Sequence, residues 1–239
     1  SDVCSSDLDG WYGYLAALQQ MDRSSPAAWK LITDNIYAEQ YISYLATEIY
    51  LANTDWPGNN QRWWRPKAGG GKWRWVLYDM DFGMALYEGF SDARHPTLNF
   101  ATNAEGVDWP NPPWSTLHIR LCLENPTFRM KFIRRMNAVM DGPFHPDRLN
   151  KLIDSFVDRI AFEMPYHKTR WGGTINDWFL ETARLKSFAV ARNNFMRGHL
   201  RNFFALGDSV PVSASVKESG TGSLEVNGVK RSEEHTSEL

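Results

Sequence analysis

The sequence predicts an α+β protein, mostly helical, built around one tryptophan-rich β-hairpin and running into the start of a β-rich domain. Three observations carry this reading. Apolar residues recur at three- to four-residue spacing in several separate stretches, strand formers flank the glycine run at 69–71, and strict alternation begins after Gly207.

The first helical stretch runs from Ile36 to Ala52, with Tyr37, Tyr41, Tyr44, Leu45 and Ile49 as its stripe, and stops at Asn53. From Asn60 to Asp81, Trp63, Trp64, Trp73, Trp75, Val76 and Tyr78 favour strands, and Gly69-Gly70-Gly71 supplies turn material, so a β-hairpin is expected. Residues 88–114 hold Gly89, Pro96, Gly106, Pro110, Pro112 and Pro113 without a sustained period, which predicts a long loop. Helices then resume. Phe128, Phe132, Met136, Val139 and Met140 share one face and end at Gly142; Leu149, Leu152, Ile153, Phe156, Val157 and Ile160 share another and end before Pro165. A long helix is expected from about Asn176 to Phe204, with Trp178, Leu185, Phe188, Phe195, Leu200 and Phe203 buried and Gly207 closing it. These stripes read as core. Beyond Gly207, Val210, Val212, Ala214 and Val216 alternate, and Leu224 and Val226 precede Asn227-Gly228, as in the opening of a β-meander.

Both ends of the chain read as something other than a folded protein. Translating the common sequencing-adapter string AGATCGGAAGAGCACACGTCTGAACTC gives Arg231 through Leu239, and its reverse complement in another frame gives Ser1 through Leu8. The expected organisation is therefore 1–8 and 231–239 as adapter-derived ends, 9–206 as the principal domain, and 207–230 as the start of a truncated β-rich domain. The whole chain carries a formal charge of −2. Without Asp2, Asp7, Glu233, Glu234, Glu238 and Arg231, 25 basic and 23 acidic residues remain, a balance of +2. That balance offers no basic surplus to make nucleic acid the main partner and no acidic surplus to suggest disorder. Cys4 falls in the adapter segment, which leaves Cys122 alone and no disulfide framework. No apolar run reaches the roughly 18 residues that a membrane span needs.

The chemistry-bearing residues flank the hairpin. Asn53-Thr54-Asp55-Trp56-Pro57-Gly58-Asn59-Asn60 lies between a helix end and the first strand, and Tyr78-Asp79-Met80-Asp81-Phe82-Gly83 follows the second. A two-residue turn at Gly69-Gly70 would pair Asn60 with Asp79, and one at Gly70-Gly71 would pair it with Asp81; in either register the amide meets a carboxylate. Cross-strand Cβ atoms lie about 4.5–5.5 Å apart, close enough for two oxygen ligands to grip one Mg²⁺ at about 2.1 Å. Phosphoryl transfer by kinases asks for such a set: a carboxylate for the attacking hydroxyl, an amide ligand five residues later, and a second metal-binding carboxylate. Asp55 precedes Asn60 by five, and Asp81-Phe82-Gly83 spells the kinase metal-binding tripeptide.

The run Asn53-x-Asp55-x4-Asn60, followed by Gly71-Lys72-Trp73-x-Trp75-x3-Asp79-x-Asp81-Phe82-Gly83, resembles the CotH kinases, a family named after a spore-coat protein. Leu123-Glu124-Asn125-Pro126-x-Phe128, Glu163-Met164-Pro165 and Arg170-Trp171-Gly172 extend the resemblance over roughly residues 30–205. It implies an atypical protein-kinase-like fold in which the mostly helical part is the C-terminal lobe and the hairpin carries catalysis. It further implies ATP as donor, Mg²⁺ or Mn²⁺ as metal, protein serine or threonine hydroxyls as acceptors, and an outside-facing or spore-associated location. Carried over by position, it makes Asp55 the catalytic carboxylate and Asn60, Asp79 and Asp81 the nucleotide-metal ligands. The tripeptide favours Asp81 as main metal carboxylate, the commoner turn register favours Asp79, and both stay open. Kinases anchor nucleotide upstream of the catalytic loop. Only 46 residues separate the adapter segment from Asp55, so most of an amino-terminal lobe is expected to be missing and this piece to be a poor catalyst.

Other readings compete. Gly69-Gly70-Gly71-Lys72 lacks the spaced glycine and the Ser or Thr of a phosphate loop, and reads as a turn. His95, His118, His145, His167 and His199 have no zinc spacing. Asp55 with Asp79 or Asp81 could form a glycosidase pair, with nearby tryptophans stacking on sugar. Eleven tryptophans also suit a non-catalytic surface or spore-coat binding module.

Overall fold

The computed structural model describes residues 5–66, 70–106 and 111–208, together with the backbone of residues 211–213, 224–226, 229–231 and 236–238. These residues form two compact units. One comprises the chain up to Ile49 with Asn53–Met80 and Thr97–Arg135; the other comprises Tyr50–Ala52, Asp81–Pro96 and the chain from Met136 onward. Helix dominates, as expected for the α+β class.

The first unit begins with α1 (Ser5–Gln20) and α2 (Pro26–Asn35), neither of which was marked by a periodicity reading. Trp11, Tyr14 and Leu18 recur at helical spacing and are all buried. Ser25 caps α2 by accepting the Ala28 N–H at 3.2 Å, and Pro26 sits at the first turn, where its missing N–H costs nothing. The expected Ile36–Ala52 helix is α3 (Ala38–Tyr50). The hairpin consists of two three-residue strands, β1 (Arg62–Trp64) and β2 (Arg74–Val76), antiparallel with Trp63 opposite Trp75. After α4 (Thr97–Ala101), which interrupts the expected long loop, come α5 (Pro113–Glu124) and the first part of α6 (Pro126–Asp141), whose residues from Met136 on are counted in the second unit. Asn125 explains the Leu-Glu-Asn-Pro run structurally. Its Oδ1 accepts the N–H groups of Thr127 and Phe128 at 3.1 Å each, and its Nδ2 donates to the Arg23 carbonyl at 2.9 Å, so one side chain caps α6 and holds the α1–α2 connection.

The hairpin register differs from both expected ones. Arg62 opposite Val76 centres the connection on residue 69, and nine residues, 65–73, link the strands instead of a two-residue turn. Part of that link, 67–69, lies outside the described residues. The reason for the long link is that Trp73 is drawn elsewhere: its N–H donates to the Asn35 carbonyl at 2.8 Å and its carbonyl accepts the Tyr37 N–H at 3.0 Å. Gln40 then acts as a substitute strand, its amide accepting the Trp75 N–H at 3.0 Å and donating to the Trp75 carbonyl at 2.5 Å. Gly71 cannot carry a side chain here, because a Cβ would lie 2.5 Å from the Pro66 carbonyl oxygen.

Under the hairpin sits a polar centre in an aromatic core. His118 is buried, bridged between the hydroxyls of Tyr14 at 2.9 Å and Tyr41 at 3.0 Å, with the Trp75 ring parallel to it at 5.6 Å. Burial pulls its imidazole down to about 3, so it is neutral at physiological pH.

The second unit contains α7 (Pro146–Ile160), α8 (Met164–Trp171) and the 30-residue α9 (Ile175–Phe204). A capping box starts α9: Thr174 Oγ1 accepts the Asp177 N–H at 3.1 Å, and Asp177 Oδ2 accepts the Thr174 N–H at 2.6 Å. Its C-cap is Ala205 in the left-handed region, φ 50°, so the helix closes before the expected Gly207. The core is narrower than the stripes suggested. On α7 only Leu149 and Ile153 are buried, while Leu152, Phe156 and Ile160 are exposed; on α9 Phe188 and Leu200 are buried but Phe195 is exposed. In place of the expected aromatics, α9 buries Thr182, Ala189, Arg192 and Met196. Beyond α9, β3 (Pro211–Ser213) pairs with β6 (Thr236–Glu238), and β4 (Leu224–Val226) with β5 (Val229–Arg231). Val226 lies opposite Val229, and the Asn227-Gly228 pair expected to turn between them lies outside the described residues.

Arg192 organises this unit. It is completely buried, and its guanidinium donates to the Tyr50, Ala93 and His95 carbonyls at 2.8 Å each. Tyr50 in turn donates its hydroxyl to Asn193 Oδ1 at 2.7 Å and stacks on Phe144 with ring centres 4.5 Å apart.

Two outcomes follow for stability. Replacing Arg192 by Met removes the donor from one buried and two partly buried carbonyls and costs about 2–4 kcal/mol; Arg192→Lys does not restore them, because one ammonium lacks the planar fork. A lowered urea midpoint in both variants checks this. The folded chain holds His118 neutral whereas the unfolded chain protonates it below about 6.5. Its stabilisation is therefore complete above that pH and falls toward 3, by up to roughly 1.4 kcal/mol per pH unit. His95 and His199, also lowered by burial, add in the same direction. Urea titrations from pH 7.5 to 4.5 should give a shallower decline in His118→Gln than in the wild type.

Candidate functional site

The turn after α3 gathers the first set of expected residues, and its shape follows from the way the helix ends. Ala52 takes φ 55° and breaks the helical path, and the Asn53 N–H closes back on the Glu48 carbonyl at 3.2 Å. Asn53 is fully buried, and both ends of its side-chain amide are used: Nδ2 donates to Glu48 Oε2 at 2.8 Å and Oδ1 accepts the Asp55 N–H at 3.1 Å. Trp56, also fully buried, anchors the next residue by donating its indole N–H to the Tyr44 hydroxyl at 2.7 Å. The Trp56–Pro57 peptide bond is cis.

Asp55 is only 6 % exposed, and its carboxylate is held by two neighbouring amides. Asn59 Nδ2 lies 3.0 and 3.1 Å from its two oxygens, and Asn60 Nδ2 donates to Oδ2 at 2.6 Å. The five-residue spacing of Asp55 and Asn60 thus becomes a direct hydrogen bond. Asn60 sits at φ 49° and also reaches the Asp79 main-chain carbonyl at 3.4 Å, while Asp79 sits at φ 53° with its side chain exposed. Asn and Asp are the non-glycine residues that most readily adopt left-handed backbone, so both side chains suit the turns they stand in. The carboxylate that meets the Asn60 amide is therefore that of Asp55. Neither Asp79 nor Asp81 faces Asn60 across the ladder, because the paired strands stop at Arg62 and Val76.

In the other unit, Asp81 is exposed and opens a tight chain reversal. Met84 and Ala85 follow with φ 52° and 67°, the Met84 N–H donating to the Leu51 carbonyl at 2.7 Å and the Ala85 N–H to the Ser91 carbonyl at 2.9 Å. The same unit holds a cavity of about 440 Å³ between this loop and α9, bordered by Glu88, Asp92, Arg94, Arg184 and Phe188. Arg94 is paired with Asp92 at 3.0 Å and Arg184 with Glu181 at 3.2 Å, so both cations already have carboxylate partners.

Glu48 escaped the sequence reading. It is completely inaccessible, and burial pushes its carboxyl up to about 7 against the opposing pull of the Asn53 amide and the Tyr44 hydroxyl. Its Oε1 has no hydrogen-bond partner. The signal was present in the sequence, since Tyr41, Tyr44, Glu48 and Ile49 fall on one buried stripe of α3 and an acid there interrupts an apolar face.

Among the described residues no three His, Cys, Asp or Glu side chains converge to hold a metal. The oxygen-rich residues do suit a hard cation that keeps part of its water and takes one or two carboxylates with nucleotide phosphates, the habit of Mg²⁺. No helix among the described residues is long and apolar enough to cross a membrane. No curated protein and no solved structure matches the chain significantly. The family model described as CotH kinase protein matches residues 6–196, a span that contains the Asp55 turn, the hairpin and the Asp81-Phe82-Gly83 reversal. The chain belongs to the CotH kinase family.

Proposed function

We propose that this domain transfers the γ-phosphoryl group of ATP to a serine or threonine hydroxyl of a protein, with Asp55 as the catalytic carboxylate. The observation that supports this best is the buried Asp55 carboxylate, fixed by the Asn59 and Asn60 amides at the head of a hydrogen-bonded turn. In the reaction the acceptor oxygen bonds to the γ-phosphorus, the bond from that phosphorus to the β–γ bridging oxygen breaks, ADP leaves, and the hydroxyl proton passes to Asp55. A divalent cation supplies charge neutralisation on the phosphates. Asn60, through its amide oxygen, and the Asp79 and Asp81 carboxylates are the residues assigned to hold it. With its nitrogen engaged by Asp55, the Asn60 amide has its oxygen to offer. The support for Asp81 is the tripeptide, and that for Asp79 is the contact of its main chain with Asn60.

Labelled γ-phosphate transfer from ATP to dephosphorylated casein, with Mg²⁺ or Mn²⁺, tests the proposal in this chain and in the longest open reading frame that carries it. Asp55→Ala should lower the rate by about 100-fold or more with nucleotide binding retained. Asp79→Ala and Asp81→Ala separate the two carboxylates: the main ligand is the one whose loss raises the metal concentration needed for half-maximal rate. Equal rates in wild type and Asp55→Ala would remove Asp55 from catalysis. Folded protein with neither transfer nor metal-dependent ATP binding would favour a non-catalytic binding module.

A further inference from the structure

We infer that Glu48 is a positioning residue: its buried carboxylate sets the orientation of the Asn53 side-chain amide, and Asn53 in turn holds the Asp55 backbone in place. The inference rests on the assignment of Asp55 above and adds a residue to that site. Glu48 touches no reacting atom and acts through Asn53.

An asparagine side chain has a donor end and an acceptor end of almost identical shape, and its neighbours decide which way it points. The Asp55 N–H is a donor, so it requires the Asn53 oxygen, and this oxygen accepts it at 3.1 Å. Turned over, the side chain would present NH₂ to N–H, and a buried backbone donor would lose its partner. What prevents this is an acceptor at the other end: Glu48 Oε2 accepts the Asn53 Nδ2 donor at 2.8 Å, and a carboxyl oxygen without the proton accepts there in either charge state. The backbone reinforces the arrangement, because the Asn53 N–H also closes on the Glu48 carbonyl, so residue 53 is tied to residue 48 twice. Glu48, Asn53 and Asp55 all belong to one compact unit.

The cost of this device points away from a purely structural role. Glu48 is completely buried, one of its oxygens has no hydrogen-bond partner, and no cation is among the groups that act on it. Apolar side chains at both positions 48 and 53 would fill the same space without desolvating a carboxyl group, and exchanging a whole buried polar set in this way is often neutral or stabilising. Stability alone therefore favours an apolar pair at these positions, whereas holding Asn53 in one orientation requires an acceptor.

The test compares wild type with Glu48→Leu, Glu48→Gln, Asn53→Ala and the Glu48→Leu/Asn53→Ala double variant, each confirmed folded by a cooperative thermal transition well above the assay temperature. Two independent readouts are needed. Hydrogen exchange at the Asp55 amide, followed by NMR, reports the position of the turn whether or not the protein turns over. Casein phosphorylation with Mg²⁺ and ATP reports catalysis. The expected result is that Glu48→Leu speeds Asp55 amide exchange and lowers kcat by about 10-fold or more with the KM for ATP little changed, the mark of a misplaced catalytic group. Glu48→Gln, whose amide oxygen can still accept from Asn53, should stay close to wild type in both. The double variant should be no worse than the poorer single one, since the two residues act in series. Wild-type exchange at Asp55 in a folded Glu48→Leu protein would overturn the inference, as would losses in the two single variants that simply add. Faster exchange at Asp55 in Glu48→Leu, with no phosphorylation by the wild type, would uphold the positioning role and reject the proposed reaction.

Discussion

A polar turn buried at the end of α3 is the constraint on which the first unit depends. Asn53, Thr54 and Trp56 are completely inaccessible and Asp55 nearly so, yet this segment lies outside helix and strand, where backbone groups have no regular partners. An unpaired buried N–H or carbonyl costs about 1–3 kcal/mol, so such a turn persists only if side chains replace the missing ladder. Asn53 does so toward α3, Asn59 and Asn60 hold the Asp55 carboxylate, and the Trp56 indole ties the turn to Tyr44. The polar asparagines of this stretch are thus structural partners as well as candidate ligands. Their two roles meet at Asn60, whose amide nitrogen belongs to Asp55.

The second unit solves a related problem with one cation. The chain reversal after Asp81 is irregular, with Met84 and Ala85 at positive φ, and it needs an anchor. Arg192 provides it from the middle of α9, gathering the carbonyls of Tyr50, Ala93 and His95 at a single guanidinium. Burial lowers the guanidinium to about 10, which leaves it charged at neutral pH and able to hold three acceptors. A long helix that buries an arginine at its centre, beside Ala189 and Met196, is an organising post for the loops around it. This explains why α9 is poorer in buried aromatics than its apolar stripe implied.

Much of this was legible in the sequence because period and punctuation agree. The stripes of α3, α6, α7 and α9 and the Asp55–Asn60 spacing each correspond to an observed element or contact. The hairpin register was not legible. Counting outward from a glycine turn assumes that the strands pair to their ends, but Trp73 pairs with Asn35 and Tyr37 instead, and no local signal announces a partner nearly forty residues away. Depth of burial was the other blind spot. Leu152, Phe156 and Ile160 share the α7 stripe with Leu149 and Ile153, and periodicity alone could not say that only one edge of that stripe would be covered. Arg192 and Glu48 were missed because charged residues are presumed to be solvated. Each was marked only by falling on an otherwise apolar face.

The central claim is that a nucleotide-bound metal sits against the Asp55–Asn60 pair. Paramagnetic broadening by Mn²⁺, read from the backbone and side-chain amide resonances in the presence and absence of ATP, tests it most directly. The account predicts ATP-dependent loss of the Asn59 and Asn60 side-chain signals and of the Asp55 amide, with resonances far from the turn left sharp. Broadening that leaves these three untouched and appears instead around Glu88, Asp92 and Arg184 would place the metal in the other unit's cavity and contradict it.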